Sequence, residues 1–195
     1  MSDEKPVPPS EFGPEPGWSL LQMPRSFGAG RSFVSGELDS DRLRIWYYRR
    51  DADGHLCAKV WFGYGAEGPP GHAHGGSMAA VLDEAMGFAA WVAGHPVVAA
   101  TITINFRKRL PLEKVLHVEC YVDAVEEKKV TTKGRIFDPA TGTVFSEGDG
   151  LFVTQPIEIF GRLVETSRER KRLDRERDAA AAAPEDLIQQ AVTGE

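Results

Sequence analysis

One long helical stretch set among strand-like runs constrains this chain most. From Gly75 to about Ala93 the sequence is rich in Ala, Met and Leu, residues that lose little freedom in a helix. At 3.6 residues per turn it makes about five turns, and Gly94-His95-Pro96 stops it. The other periodic segments alternate. Leu43-Arg44-Ile45-Trp46-Tyr47-Tyr48 reads as a strand, Asp51-Ala52-Asp53-Gly54 as a turn, and Leu56 to Tyr64 as the paired strand. After the helix, Val97 to Arg107 puts Ile102, Ile104 and Phe106 on one side and Thr101, Thr103 and Asn105 on the other. Val115 to Val125, Lys129 to Phe137 and Thr143 to Thr154 follow, with Asp138-Pro139-Ala140-Thr141-Gly142 as a hairpin turn. The pattern predicts an α+β fold: two strands, one central helix, then a four-stranded meander, with the helix packed on an antiparallel sheet.

The pattern sets the domain limits at 43–155 of the 195 residues. Residues 1–42 read as an N-terminal extended arm, its start rich in Pro, Glu and Gly. Within it, Trp18-Ser19-Leu20-Leu21 and Phe27 have the apolar character to pack on the domain or on a neighbour, and Gly28-Ala29-Gly30 reads as a turn. Residues 156–195 form a charged tail, helical or disordered: Arg168 to Asp178 is nearly all charged and Ala179 to Ala183 is an alanine run. From Gly161 onward there are seven basic and eight acidic residues, which suits a solvated face; a partner-binding helix is the alternative.

Lys plus Arg is 23 and Asp plus Glu is 29, a net charge of −6. Nucleic acid is therefore not the expected partner, because its binding needs a positive footprint. The most apolar stretch, Met78 to Ala100, contains Asp83, Glu84 and His95, which argues against a membrane span. Cys57 and Cys120 lie in apolar runs without a CxxC or Cys/His spacing, so they read as buried thiols of a cytoplasmic protein. The first residues, Met1-Ser2-Asp3-Glu4-Lys5-Pro6, lack a signal pattern. His72 and His74 form an HxH, but no third ligand stands at useful spacing, so no metal is expected.

The segment from Gly68 to Gly87 carries the chemistry. Gly75 and Gly76 open the helix, where bare backbone lets a ligand atom approach the unpaired N–H groups. Such donors can build an oxyanion hole. His74 stands immediately before them, and Asp83 lies on an otherwise apolar helix. Gly75 and Asp83 are about 12 Å apart along the axis at 1.5 Å per residue. One reacting carbonyl cannot touch both on the same helix. If both act, the site is shared by two chains whose helices run antiparallel across a two-fold axis.

His74-Gly75-Gly76 with Asp83 nine positions after the His resembles the signature of hotdog-fold acyl-CoA thioesterases, in the PaaI-like and THEM4-like subgroup. A second block, Thr103-Ile104-Asn105-Phe106-Arg107-Lys108-Arg109-Leu110-Pro111-Leu112, resembles the strand and basic Pro-Leu turn after the helix in that subgroup. The resemblance covers about Leu43 to Thr154. It implies a hotdog fold, an antiparallel sheet wrapped around one long helix, in a homodimer or a dimer of dimers. It implies Asp83 as general base or nucleophile, Gly75 N–H as the donor polarising the thioester carbonyl from the facing subunit, and His74 in support. Asn105, Arg107, Lys128 and Lys129 would contact coenzyme A, with Gly76, Met78 and Leu82 also at the substrate. An apolar slot of Met78, Leu82, Met86 and Phe88 would take the acyl chain. Coenzyme A is part of the substrate, and no cofactor is implied. Two positions depart from relatives. The Ser or Thr early in the strand after the helix is Ala99 here, with Thr101 expected to substitute from the same face. The Asn that another subgroup places six positions before the His is Gly68. The competing readings are a non-catalytic acyl-CoA-binding or regulatory hotdog protein, and an interaction protein acting through its tail. Hydratase chemistry lacks its His-then-acid pattern.

Overall fold

The computed structural model describes residues 9–21, 33–35 and 39–162, together with residues 165, 166, 169, 172, 173 and 176. The readings of Phe27, Gly28-Ala29-Gly30 and Ala179 to Ala183 lie outside them.

Seven strands and one long helix make the fold: β1 (Trp18–Leu20), β2 (Leu43–Arg50), β3 (Leu56–Phe62), α1 (Gly75–Val92), β4 (Val97–Phe106), β5 (Val115–Glu126), β6 (Lys129–Phe137) and β7 (Val144–Thr154). The strands form one sheet in the order β1-β2-β3-β5-β6-β7-β4, every neighbouring pair antiparallel. This is the α+β hotdog arrangement that the resemblance implies.

The order corrects one expectation. The last four strands do not form a meander: β4 pairs with β7, and β3 pairs with β5. Alternation fixes which residues share a face but not which strand lies beside which. The chain leaves β3, crosses the sheet as α1, and comes down as β4 on the far edge. The connection from Arg107 to Lys114 then runs back past the start of α1 to reach β5. Three strand spacings of about 4.8 Å separate β4 from β5, well within the reach of eight residues.

The helix buries Met78, Val81, Leu82, Ala85, Met86, Ala89 and Ala90 against the sheet. Two glycines let it approach closely. A Cβ on Gly134 would lie 2.7 Å from Cys120 Sγ and 3.0 Å from Met86 Cγ. A Cβ on Gly148 would lie 2.9 Å from Ile104 Cδ1 and 3.2 Å from Met86 Cε. Both cysteines are buried, and burial is the main cause that pushes the Cys57 thiol up to about 12.

The opposite face of the sheet carries a second cluster, Phe12, Trp46, Tyr48 and Cys57. Of the two placements open to Trp18-Ser19-Leu20-Leu21, packing on the domain is the one found: β1 adds to β2, and Leu21 N–H donates to Tyr47 O. Phe12 is buried, and the Tyr48 hydroxyl donates to its carbonyl. Glu15 pairs with Lys59 at 2.6 Å and lies 3.6 Å from His117 Nε2. At the other end of the domain, residues 157–162 are helical and Phe160 meets Trp91 edge-on at 4.7 Å. Among the described residues no helix is long and apolar enough to cross a membrane.

Candidate active site

The start of α1 is built by residues distant in sequence. His74 N–H donates to Ala66 O at 2.8 Å, and Ala73 N–H donates to Leu110 O at 2.9 Å. His72 bridges to Pro111, and Leu112 N–H donates to Gly71 O. Gly71 takes a positive φ of 72°, a conformation that favours glycine. Leu110 is fully buried. The basic Pro-Leu turn is thus a buttress that holds the loop before the helix, a role its charges did not suggest.

His74 is the N-cap, and its Nδ1 accepts from Gly76 N–H at 2.9 Å. Accepting at Nδ1 places the proton of the neutral ring on Nε2. A Cβ on Gly76 would fall 2.9 Å from that same Nδ1, so a larger residue there would have to push the His74 ring aside. Ser77 N–H and Met78 N–H both donate to His74 O, and Ser77 Oγ donates to it at 2.7 Å. Of the first-turn N–H groups, Gly75's alone has no acceptor among the described residues. A groove of about 400 Å³, lined in part by Arg42, Glu67, His74 and Ser77, opens beside this helix start. The two HxH histidines serve the loop: His72 Nδ1–H donates to Pro70 O at 2.8 Å, while His74 Nδ1 caps the helix.

Asp83 and Glu84 are adjacent but not equivalent. Glu84 Oε1 accepts from the Tyr47 hydroxyl at 2.9 Å. Tyr47 is buried, its phenol held well above its ordinary range first by burial and then by the Glu84 charge. Its ring meets Phe88 edge-on at 5.1 Å. Asp83 has no hydrogen bond or ion pair among the described residues, and burial pushes its carboxyl above the ordinary 3.8. A carboxylate deprived of water and partners is the better base. Sequence reasoning passed over Tyr47, although its place on the helix-facing side of β2, between Ile45 and Arg49, was the signal for it.

The other residues named from the sequence are spread out. Met78, Leu82 and Met86 are at most 4% exposed and fill the core between α1 and the sheet, so they line no open slot in this chain; Phe88 is partly buried against Tyr47. Thr101 does not share a face with Ala99. A bulge between them sets Ala99 opposite Phe152 and Thr101 opposite Leu151, turning Thr101 away from the helix. Asn105, opposite Glu147, faces the same way. Arg107 follows Phe106 at the α1-start end of β4, and its Nε donates to Glu147 Oε2 at 2.8 Å. Lys128 and Lys129 are exposed at the β5–β6 hairpin, where Lys129 opposes Val153 and Val153 opposes Val98. That is eight residues along β4 from Phe106, or about 26 Å.

Residues 70–145 match the sequence model of the Thioesterase superfamily. Acyl-coenzyme A thioesterase THEM5 from Homo sapiens is 30% identical over 92 residues, 47% of this chain and 37% of that protein. Acyl-coenzyme A thioesterase THEM4 from Xenopus laevis is 31% identical over 118 residues, 60% of this chain and 53% of that protein. A crystal structure of a thioesterase superfamily protein superposes with a TM-score of 0.52 at 29% identity, covering 56% of this chain and 53% of that one. The chain thus spans about half or less of the length of the curated relatives it matches.

Proposed function

We propose that this chain, which matches the Thioesterase superfamily over residues 70–145 and is similar to THEM4, is a hotdog-fold thioesterase of the PaaI and THEM4 type that hydrolyses acyl-CoA to free acid and CoA. One observation carries the mechanism. Among the described residues, α1 holds one unpaired N–H at its start and one unpaired, desolvated carboxylate, about 12 Å further on by the 1.5 Å rise per residue. Two chains with antiparallel helices supply one donor and one base to each of two thioesters. The outer edge of β4, unpaired among the described residues, is a surface on which a second copy can add.

In this reading Gly75 N–H takes the thioester oxygen and stabilises the oxyanion. Asp83 of the facing chain removes a proton from water as the water oxygen bonds to the carbonyl carbon. The C–S bond then breaks, and the CoA thiolate leaves and is protonated. Direct attack by the Asp83 carboxylate, with hydrolysis of the anhydride, gives the same products. Arg107, Lys128 and Lys129 would offer positive charge to CoA phosphates, on a protein that in this reading works without a further cofactor in the cytoplasm. Thiol release from short, medium, long and aromatic acyl-CoAs, with Asp83→Ala as control, tests the proposal. Release that survives Asp83→Ala would refute it.

A second reading has one observation in its favour. Thr101, the hydroxyl expected to help place water, faces away from α1. A non-catalytic acyl-CoA-binding hotdog protein would bind the thioester and release no thiol.

A further inference from the structure

The unpaired Gly75 N–H has an apolar neighbour. Phe106, the last residue of β4, turns its ring tip over Gly75: a Cβ there would lie 3.3 Å from Phe106 Cζ, 3.5 Å from Cε1 and 3.7 Å from Cε2. The ring is 53% exposed, although it stands on the helix-facing side of β4 with Ile102 and Ile104. Its sequence neighbours Asn105 and Arg107 are polar, and Arg107 is drawn to Glu147. This ring is the apolar side chain in contact range of Gly75 itself, while Phe33, Leu43 and Ala66 line the groove beside the same helix start.

We propose that Phe106 is a specificity-determining residue that packs against the first acyl carbons of the thioester whose oxygen Gly75 N–H receives, a role that rests on the thioesterase reading. The acyl group is the apolar side of an acyl-CoA thioester, and the half-exposed ring gains by covering it. Packing there also excludes water from the Gly75 donor, which strengthens its hydrogen bond to developing charge. A substrate whose acyl group has only one carbon beyond the carbonyl gives the ring little to cover. A longer chain gives it more.

The test is a ratio, which a general loss of folded enzyme does not move. We compare kcat/KM for hexanoyl-CoA with kcat/KM for acetyl-CoA in the wild type, Phe106→Ala, Phe106→Leu and Phe106→Tyr, and follow oligomeric mass by light scattering. Phe106→Ala is expected to lower the ratio roughly ten-fold, with KM for hexanoyl-CoA carrying most of the change, while Leu and Tyr keep most of it. An unchanged ratio in Phe106→Ala overturns the role of Phe106 and leaves the thioesterase reading intact. Loss of assembly in Phe106→Ala also overturns it, assigning the ring to an interface. A wild type inactive on every acyl-CoA overturns the thioesterase reading, and the Phe106 role with it.

Discussion

The Tyr47 hydroxyl on β2 donates to Glu84 Oε1 on α1 at 2.9 Å, and this bond separates the fates of two consecutive acids. Glu84 is tied to the sheet, while Asp83 beside it keeps an unpaired carboxylate. The bond also fixes the rotation of α1, since the Tyr47 ring braces Phe88 one turn further along. Tyr47→Phe leaves Glu84 without that donor. It is expected to cost about 2 kcal/mol, the range for hydrogen bonds to charged groups. Urea unfolding of Tyr47→Phe, Glu84→Gln and the double variant gives the coupling; additive losses would show that the pair does not hold the helix.

Asp83 should trade stability for activity. Its folded carboxyl is pushed up by burial, so the folded state binds the proton more tightly than the unfolded chain does. The stability from that proton is full below the ordinary value of 3.8 and is lost as pH rises through the folded value. Asp83→Asn therefore melts higher than the wild type at pH 7, and the gap closes toward pH 3. Thiol release should fall about a thousand-fold, within the usual span for loss of a general base. A lower melting temperature at pH 7 would contradict the account of burial.

The cap at the start of α1 can be broken from either side. His74→Ala removes the acceptor for Gly76 N–H, and a cap of this kind is worth about 1 kcal/mol. Gly76→Ala drives a methyl against His74 Nδ1, at 2.9 Å before relaxation, and displaces the same ring. Both variants are expected to lose similar stability in thermal melts. A melt of Gly76→Ala at the wild-type temperature would mean that the ring can move without cost.

Docking of residues 9–21 should depend on pH. The buried His117 faces Glu15, Lys59 and Asp138, with Trp18 and Phe137 against its ring. Burial lowers its folded value below 6.5. The unfolded chain therefore takes up its proton first, and the stability that the neutral ring contributes is lost as pH falls below 6.5, with the Glu15 charge opposing part of the shift. Glu15, held below 4.5 chiefly by its hydrogen bond with Lys59, loses its share further down. The protection factors of Trp18–Leu20, which divide out the intrinsic slowing of amide exchange at lower pH, should fall between pH 7 and 5, and His117→Gln should flatten that dependence. Protection factors independent of pH in the wild type would refute it.

Much of the fold can be read from the sequence because it is written in periods. The α1 boundary at Gly75, the strands and the sidedness of β4 follow from spacing and turn residues. The strand order does not, since β4 lies beside β7 through a connection whose course depends on the whole sheet. The same limit explains Thr101: one extra residue in β4 between Ala99 and Thr101 inverts a face that strict alternation would keep. Met78, Leu82 and Met86 carry the apolar character of a substrate slot and of a core alike, and only their burial against the sheet, with Leu82 and Met86 close to Gly134, tells them apart. His74 and Asp83 stand out by spacing, whereas Tyr47 reaches Glu84 across 37 positions and no local pattern announces it.

The buttress under the helix start ties the site to the order in which the chain can fold. Ala73 and His72 depend on Leu110 and Pro111, residues that emerge from synthesis some time after α1 itself. A nascent chain ending before the Pro-Leu turn can form the helix but cannot fix the loop that aims its first N–H group. Such long-range closure is slow relative to local helix formation. The donor that marks the site is therefore among the last features to become defined, and a half-made chain is a helix without an address.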